Sequence, residues 1–198
     1  MLRKASAFLT ALFCLNLPAG ATEDPPADPS SVLGPRWHEV QQDYVAQALI
    51  ENFYSAFARG DAQAMAACYH PEAKFHDPIF GSLHGAEIGH MWQMLLTLSK
   101  GQLKLHFQVN DAHLGLVRAH WEADYTFSAT GFPVHNVIES EFELREGLIY
   151  RQRDHFDLHR WSSQALGTPG FLFGGLPLFQ NLLQRQVRTR LQSWHTAP

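Results

Sequence analysis

Residues 52–92 read NFYSAFARGDAQAMAACYHPEAKFHDPIFGSLHGAEIGHMW, and the sequence of stops and periods in this stretch decides the fold. Phe53, Ala56 and Phe57 close an amphipathic run that Gly60 halts as a left-handed helix terminator. Asp61 caps a second, short helix carrying Met65 and Cys68, which ends before Pro71. Residues 73–77 form an extended piece, halted by Pro78, in which Phe75 and Asp77 share one face and His76 takes the other. Ile88, Met91 and Trp92 then open a third helix over 85–98.

On the N-terminal side Val40, Tyr44, Ala48 and Leu49 carry the first helix back to about residue 36. On the C-terminal side the hydrophobic period changes from 3.6 to 2. Leu103, Leu105, Phe107 and Val109 alternate with polar residues, and so do Val117, Ala119, Trp121, Ala123, Tyr125 and Phe127. Two more strands, 134–145 and 148–159, join through a tight turn at Glu146-Gly147. Three helices, one short strand and a four-strand antiparallel meander predict an α+β domain with one sheet face covered by helices. A final helix follows, with Phe179, Leu182, Leu183, Val187, Leu191 and Trp194 on one face.

The 198 residues are 45% hydrophobic and only 17% charged, and 14 Phe, 5 Trp and 5 Tyr supply ample area for a core. A formal charge of -4 with scattered arginines excludes nucleic acid as the expected partner. Arg3 and Lys4, the apolar run 5–17, Pro18 and Ala19-Gly20-Ala21 have the form of a secretory signal too short to span a bilayer. The expected organisation is a signal peptide over 1–21, a Pro-rich linker over 22–35, one domain over 36–160 and a helical extension over 161–198. The expected product is exported, to a periplasm or the exterior, and would retain Cys68 as its one thiol.

Strand alternation selects the candidate chemistry. Asp77 and Asp154 each fall on an otherwise apolar face, as do Asn136, Ser140 and Gln152, whereas Tyr150 reads as one of the apolar members. A buried carboxylate shifts its pKa upward and can move a proton near neutrality, and two of them can serve as acid and base. The alternative is structural: Asp77 capping the turn before Pro78, Asp154 pairing with an arginine or a tyrosine. The opposite face, with His120, Glu122, Asp124, His135, Glu139, Glu141, Glu143, Arg151 and Arg153, reads as a solvated ladder of ion pairs or a homodimer face. Among twelve histidines His155 and His159 have an i, i+4 spacing, but on the strand expected there they lie roughly 13 Å apart, and no dinucleotide or phosphate motif is present, so neither metal nor cofactor is expected. The apolar run 171–179 is short and interrupted by Gly174, Gly175 and Pro177. Burial over the domain's open end or against a second subunit is preferred to membrane contact.

The quoted stretch resembles the start of the nuclear transport factor 2-like superfamily, particularly its SnoaL-like and ketosteroid isomerase-like branches. A helix ending in Gly-Asp, an Asp-Pro strand end and a Gly-x-x-x-Ile helix carry the resemblance, which runs over about 40–158. It implies a cone-shaped curved sheet wrapped by three helices around an apolar pocket. It places Asp77 on the proton-shuttling aspartate of the isomerases, Trp92 on a pocket aromatic and Asp154 on a cavity-lining position that is acidic in some relatives. Phe53 stands where the isomerases have an oxyanion-hole tyrosine, with Tyr54 one residue off, and Ser140 stands where they have a protonated aspartate. Each such donor is typically worth about 2.7 to 4 kcal/mol, so their replacement points away from steroid isomerisation itself.

The expectation is a small apolar ligand held among Phe53, Tyr54, Phe75, Trp92, Trp121, Tyr125, Asn136, Ser140 and Tyr150. Asp77 and Asp154 would supply acid/base catalysis of isomerase, cyclase or epoxide-hydrolase type. Its rivals are a carrier or sensor without catalysis, and a dimerising interaction module.

Overall fold

The computed structural model describes residues 36–196. The signal and linker expected over 1–35 lie outside the described residues. Helix α1 (Arg36–Ala58) leads into α2 (Ala62–Ala67), whose N-terminus is capped by Asp61 accepting the Ala64 N–H at 2.9 Å. Strands β1 (Tyr69–Asp77) and β2 (Gly81–His84) precede α3 (Ala86–Ser99). Strands β3 (Lys104–His113), β4 (Leu116–Thr126), β5 (Pro133–Arg145) and β6 (Leu148–His155) follow, then α4 (Leu158–Leu166), α5 (Thr168–Phe173) and α6 (Pro177–Thr196).

The class is α+β, and the six strands form one curved, unclosed sheet in the order β2-β1-β6-β5-β4-β3. The β3–β6 meander is antiparallel, but β1 lies parallel to β6, so the sheet is mixed where a wholly antiparallel one was expected. That pairing joins residues some 80 positions apart (Tyr69↔Ile149), which local alternation does not reveal. β1 starts earlier than Ala73 because a register break between Tyr69 and Lys74 accommodates Pro71, which has no N–H to offer the ladder. The last strand stops at His155, short of 159, because Asp157 caps α4 by accepting the Arg160 N–H at 2.9 Å. His159 is therefore helical.

Alternation places Val117, Ala119, Trp121, Ala123, Ile138 and Phe142 under the helices, where they meet Ile50, Phe53, Tyr54 and Met91 in one core. The outer face is the expected ladder: His120 meets Glu139 at 2.6 Å and Glu122 at 3.2 Å, His135 meets Asp124 at 2.9 Å, and Arg151 meets Glu143 at 2.6 Å.

Three C-terminal helices stand where one was expected. α4 and α5 are fastened by glycine: a Cβ on Gly170 would lie 1.8 Å from the Ser162 carbonyl oxygen, so only glycine permits this approach. α6 lies over the sheet's end, its Leu183 and Leu191 buried and its Leu182, expected on the same face, turned outward with 55% of its surface exposed.

Candidate functional site

β1 ends at Asp77 because Pro78 cannot extend the ladder, and the chain turns back at once into β2. The Asp77 carboxylate organises that turn: Oδ1 accepts the N–H of Ile79 at 2.9 Å and that of Phe80. It does so while only 8% exposed. Burial pushes its pKa up to about 7; the Phe80 amide opposes this, the Asp154 carboxylate adds to it, and the Ile79 and Gly81 amides oppose it again. Asp77 is thus a buried turn-forming acceptor whose carboxyl is held well above the ordinary carboxylate range.

Asp154 sits one position beyond the His76↔Arg153 pair, on the strand beside Asp77. Its Oδ1 accepts Ser140 Oγ–H at 2.6 Å across the Ser140↔Asp154 pair and Gln152 Nε2–H at 2.9 Å. Burial raises its pKa to about 6, opposed by those two hydrogen bonds and by His155. The network continues at both ends. Trp121 Nε1–H donates to Ser140 Oγ at 2.8 Å, the Tyr69 hydroxyl donates to Gln152 Oε1, and Trp92 Nε1–H donates to the Tyr69 oxygen at 3.0 Å. A chain of polar groups thus runs from one indole to the other through the core. Beside it, the Tyr54 hydroxyl is buried with no hydrogen-bond partner. Burial, reinforced by Asp154, drives its pKa well above the ordinary tyrosine value.

On the other side of the two indoles lies a cavity of about 190 Å³. Its walls are Trp92, Met94 and Leu98 from α3, Trp121 and Ala123 from β4, and the Ile79-Phe80 turn. Asn136 and Tyr125 add polar groups; the Tyr125 hydroxyl accepts Trp161 Nε1–H at 2.8 Å. Burial pushes the Tyr125 pKa up to about 12; the Trp161 hydrogen bond opposes this, and the nearby Asp77 charge adds to it. Trp161 from α4 and Leu183, Val187 and Arg190 from α6 form its remaining wall.

The structure thus divides the expected pocket in two. Trp92, Trp121, Tyr125 and Asn136 line the cavity. Phe53, Tyr54, Phe75 and Ser140 do not: they fill the core behind the indoles, with Phe53 and Phe75 edge-on to Trp92 at 5.7 and 5.9 Å and Tyr54 at 6.0 Å from Trp121. Asp154 lies in that core too, and Asp77 stands behind the turn whose residues form the wall. Tyr150 is on the outer face. The register slips between Glu143 and Leu144 so that Ile149 takes the buried position, and Tyr150 stacks under the Arg145 guanidinium at 3.5 Å and against His70. Sequence reasoning missed Tyr69, which it left before the strand, and Trp161 and Arg190, which it assigned to an extension. The 3.6-residue spacing of Leu183, Val187 and Leu191 was the available signal.

The sequence profile of the SnoaL-like domain matches residues 50–152. The chain belongs to the SnoaL-like family. That family lies within the nuclear transport factor 2-like superfamily, and solved structures agree with it in fold. Bal32a, from a soil-derived mobile gene cassette, is 21% identical with a TM-score of 0.56, over 62% of this chain and 98% of its own. A provisionally assigned polyketide cyclase from Silicibacter sp. TM1040 is 21% identical with a TM-score of 0.51, over 60% of this chain and 93% of its own. A second protein with that provisional assignment, from Xanthomonas campestris pv. campestris, is 20% identical with a TM-score of 0.51, over 62% of this chain and 98% of its own. No curated protein matches the chain. The SnoaL-like match ends at Gln152, so the cavity walls from α4 and α6 are supplied by residues outside it.

Proposed function

We propose that this SnoaL-like protein binds a small, largely apolar molecule in the cavity beneath α6. The observation that carries the reading is a cavity of about 190 Å³ walled mainly by indole, aliphatic and phenyl groups, with Ser99, Tyr125, Thr126, Ser128, Asn136 and Arg190 as its polar lining. An apolar cavity of about 150 Å³ accepts benzene, so the occupant has on the order of ten non-hydrogen atoms. Native mass spectrometry of the protein from its own compartment tests this directly, and quenching of Trp92, Trp121 and Trp161 measures affinity. Failure of every small apolar probe to perturb those tryptophans refutes it.

Within the same reading Asp77, screened from the cavity by the Ile79-Phe80 turn, is the acid/base group for isomerisation, cyclisation or epoxide opening, and it reaches the ligand when that turn moves aside. Support comes from its pKa near neutrality and from the wall position of Ile79 and Phe80, whose amides it holds. Asp154, fully engaged by Ser140 and Gln152, acts on Asp77 through its charge. Loss of a general base typically costs about 10²- to 10⁴-fold in rate. Asp77→Asn that binds ligand but no longer turns it over supports catalysis; unchanged turnover removes Asp77 from the chemistry, and binding without turnover in the unmodified protein leaves a carrier. Export belongs to the proposal as well. Its check is the mature N-terminus, expected after Ala21.

A further inference from the structure

Of the two alternatives expected for the run 171–179, burial over the domain's own open end is not what the segment around α5 shows. Phe171, Leu172 and Phe173 are 64, 60 and 50% exposed, and Leu176, Leu178 and Leu182 are 51, 71 and 55% exposed. Six large apolar side chains within twelve residues present an apolar patch on the order of 600 Å², at the upper end of what a monomer ordinarily shows.

This display is held in place. Gly170 and Gly174 pack directly on Ser162, Ser162 Oγ–H donates to the Gly170 carbonyl, and His159 Nε2 lies 2.8 Å from the Phe171 carbonyl oxygen. With its backbone clamped to α4, α5 cannot rotate its phenyl and leucyl groups inward.

The charge carried by the segment itself is one-signed. Residues 158–198 contain Arg160, Arg185, Arg188 and Arg190 and no Asp or Glu, whereas residues 36–157 carry 16 acidic against nine basic groups. Arg160 and Arg185 are exposed, and Arg188 donates to the Phe80 and Ser82 carbonyls. Apolar side chains on a segment whose own charges are all arginine, with Asp157 engaged in capping α4 at its start, are complementary to a surface that is greasy inside and anionic at its edge. A symmetric pairing of two copies through this patch would instead set arginines against arginines.

We propose that the α5–α6 corner is an interfacial docking site for an anionic lipid membrane, with Phe171, Leu172, Phe173 and Leu178 entering the acyl boundary and Arg160 and Arg185 meeting the headgroups. None of the described helices is long and apolar enough to cross a bilayer, so the contact is peripheral. It places the cavity-lining helix α6 at the lipid surface, next to a reservoir of apolar small molecules.

Hydrogen–deuterium exchange of the full chain reads this segment independently of any contact made by the N-terminus. The probes are vesicles of phosphatidylcholine alone and vesicles with about one third phosphatidylglycerol. With the anionic vesicles, amide exchange over 168–182 slows about tenfold or more; with the neutral ones the slowing is several-fold smaller, and high salt weakens it. Leu172→Ser with Leu178→Ser, both at exposed positions, abolishes the slowing while leaving thermal unfolding unchanged. Exchange in this segment that is indifferent to vesicles overturns the proposal, as does protection that survives both substitutions. Protection that appears without lipid as protein concentration rises overturns it in favour of a second copy.

Discussion

Replacing Asp77 by Asn separates its two roles, because the amide keeps an Oδ1 acceptor for the Ile79 and Phe80 N–H groups but cannot ionise. In the folded protein the carboxyl titrates at about 7 against an ordinary value of 3.8. The native state therefore binds more protons than the unfolded chain throughout that window, and stability falls as pH rises through it. Three pKa units correspond to about 4 kcal/mol, of which roughly 3 kcal/mol lies between pH 4.5 and pH 8. Asp154, raised to about 6, contributes with the same sign over a lower window and remains in the variant. Urea unfolding followed by tryptophan fluorescence at pH 4.5 and pH 8 gives the two free energies for each protein. The expected outcome is a wild type that loses stability toward pH 8 and an Asp77→Asn variant that loses about 3 kcal/mol less, so that the variant is the more stable protein in alkali. A wild type whose stability rises over this interval, or a variant with an identical pH dependence, would refute the reasoning: the turn amides would then outweigh burial and hold the carboxylate ionised.

Tyr54→Phe removes a buried hydroxyl that has no partner, so unfolding free energy stays level or rises by about 1 kcal/mol, where a hydrogen-bonded tyrosine would lose that much. Ser140→Ala leaves the Trp121 N–H unpartnered and deprives Asp154 of its closest donor; a loss of about 2 to 4 kcal/mol in urea unfolding is expected, with the Asp154 carboxyl resonance titrating at higher pH than in wild type. His120 is raised above 6.5 first by its hydrogen bond to Glu139 and then by that to Glu122, so Glu139→Gln lowers its titration midpoint in a proton NMR series. Stability drawn from that pair is present below pH 6.5 and fades as pH rises through the His120 midpoint. Among the described residues Arg190 is the one cation on the cavity wall, so in a tryptophan-quenching screen of small aromatic probes the Arg190→Gln variant is expected to lose about tenfold in affinity for carboxylates relative to their matched alcohols.

Much of the fold follows from period alone. The change from 3.6 to 2 near Leu103 separates helices from meander, and alternation within β4 and β5 puts Trp121, Ser140 and Asn136 on the helix-covered side. Asp77 was legible because a charged residue before Pro78 shares a face with Phe75. What alternation cannot supply is a break in its own register. The slip between Glu143 and Leu144 exchanges Tyr150 for Ile149 at the buried position, and the break in β1 brings Tyr69 into the network. Nor does it give volumes: the resemblance implied one apolar pocket among all these aromatics, whereas Phe53, Tyr54 and Phe75 lie in the packed core and the cavity beside it is bounded by Trp161 and α6. Those last contacts join residues about a hundred positions apart, such as Gln184 Nε2 donating to the Pro78 carbonyl at 3.1 Å, and no short-range pattern encodes them.

The parallel seam between β1 and β6 has a kinetic consequence. Strand β1 has only the four-residue β2 as a local partner, and its other edge waits for Ile149 and Arg151 to be in place. Closing so long a loop comes late in folding, since its entropic cost precedes any reward from the ladder. A nascent chain truncated before residue 148 would hold its meander incomplete and the β1 edge open, a template for pairing with other chains. Arrival of the last strand is thus what covers the β1 edge and joins the two ends of the sheet.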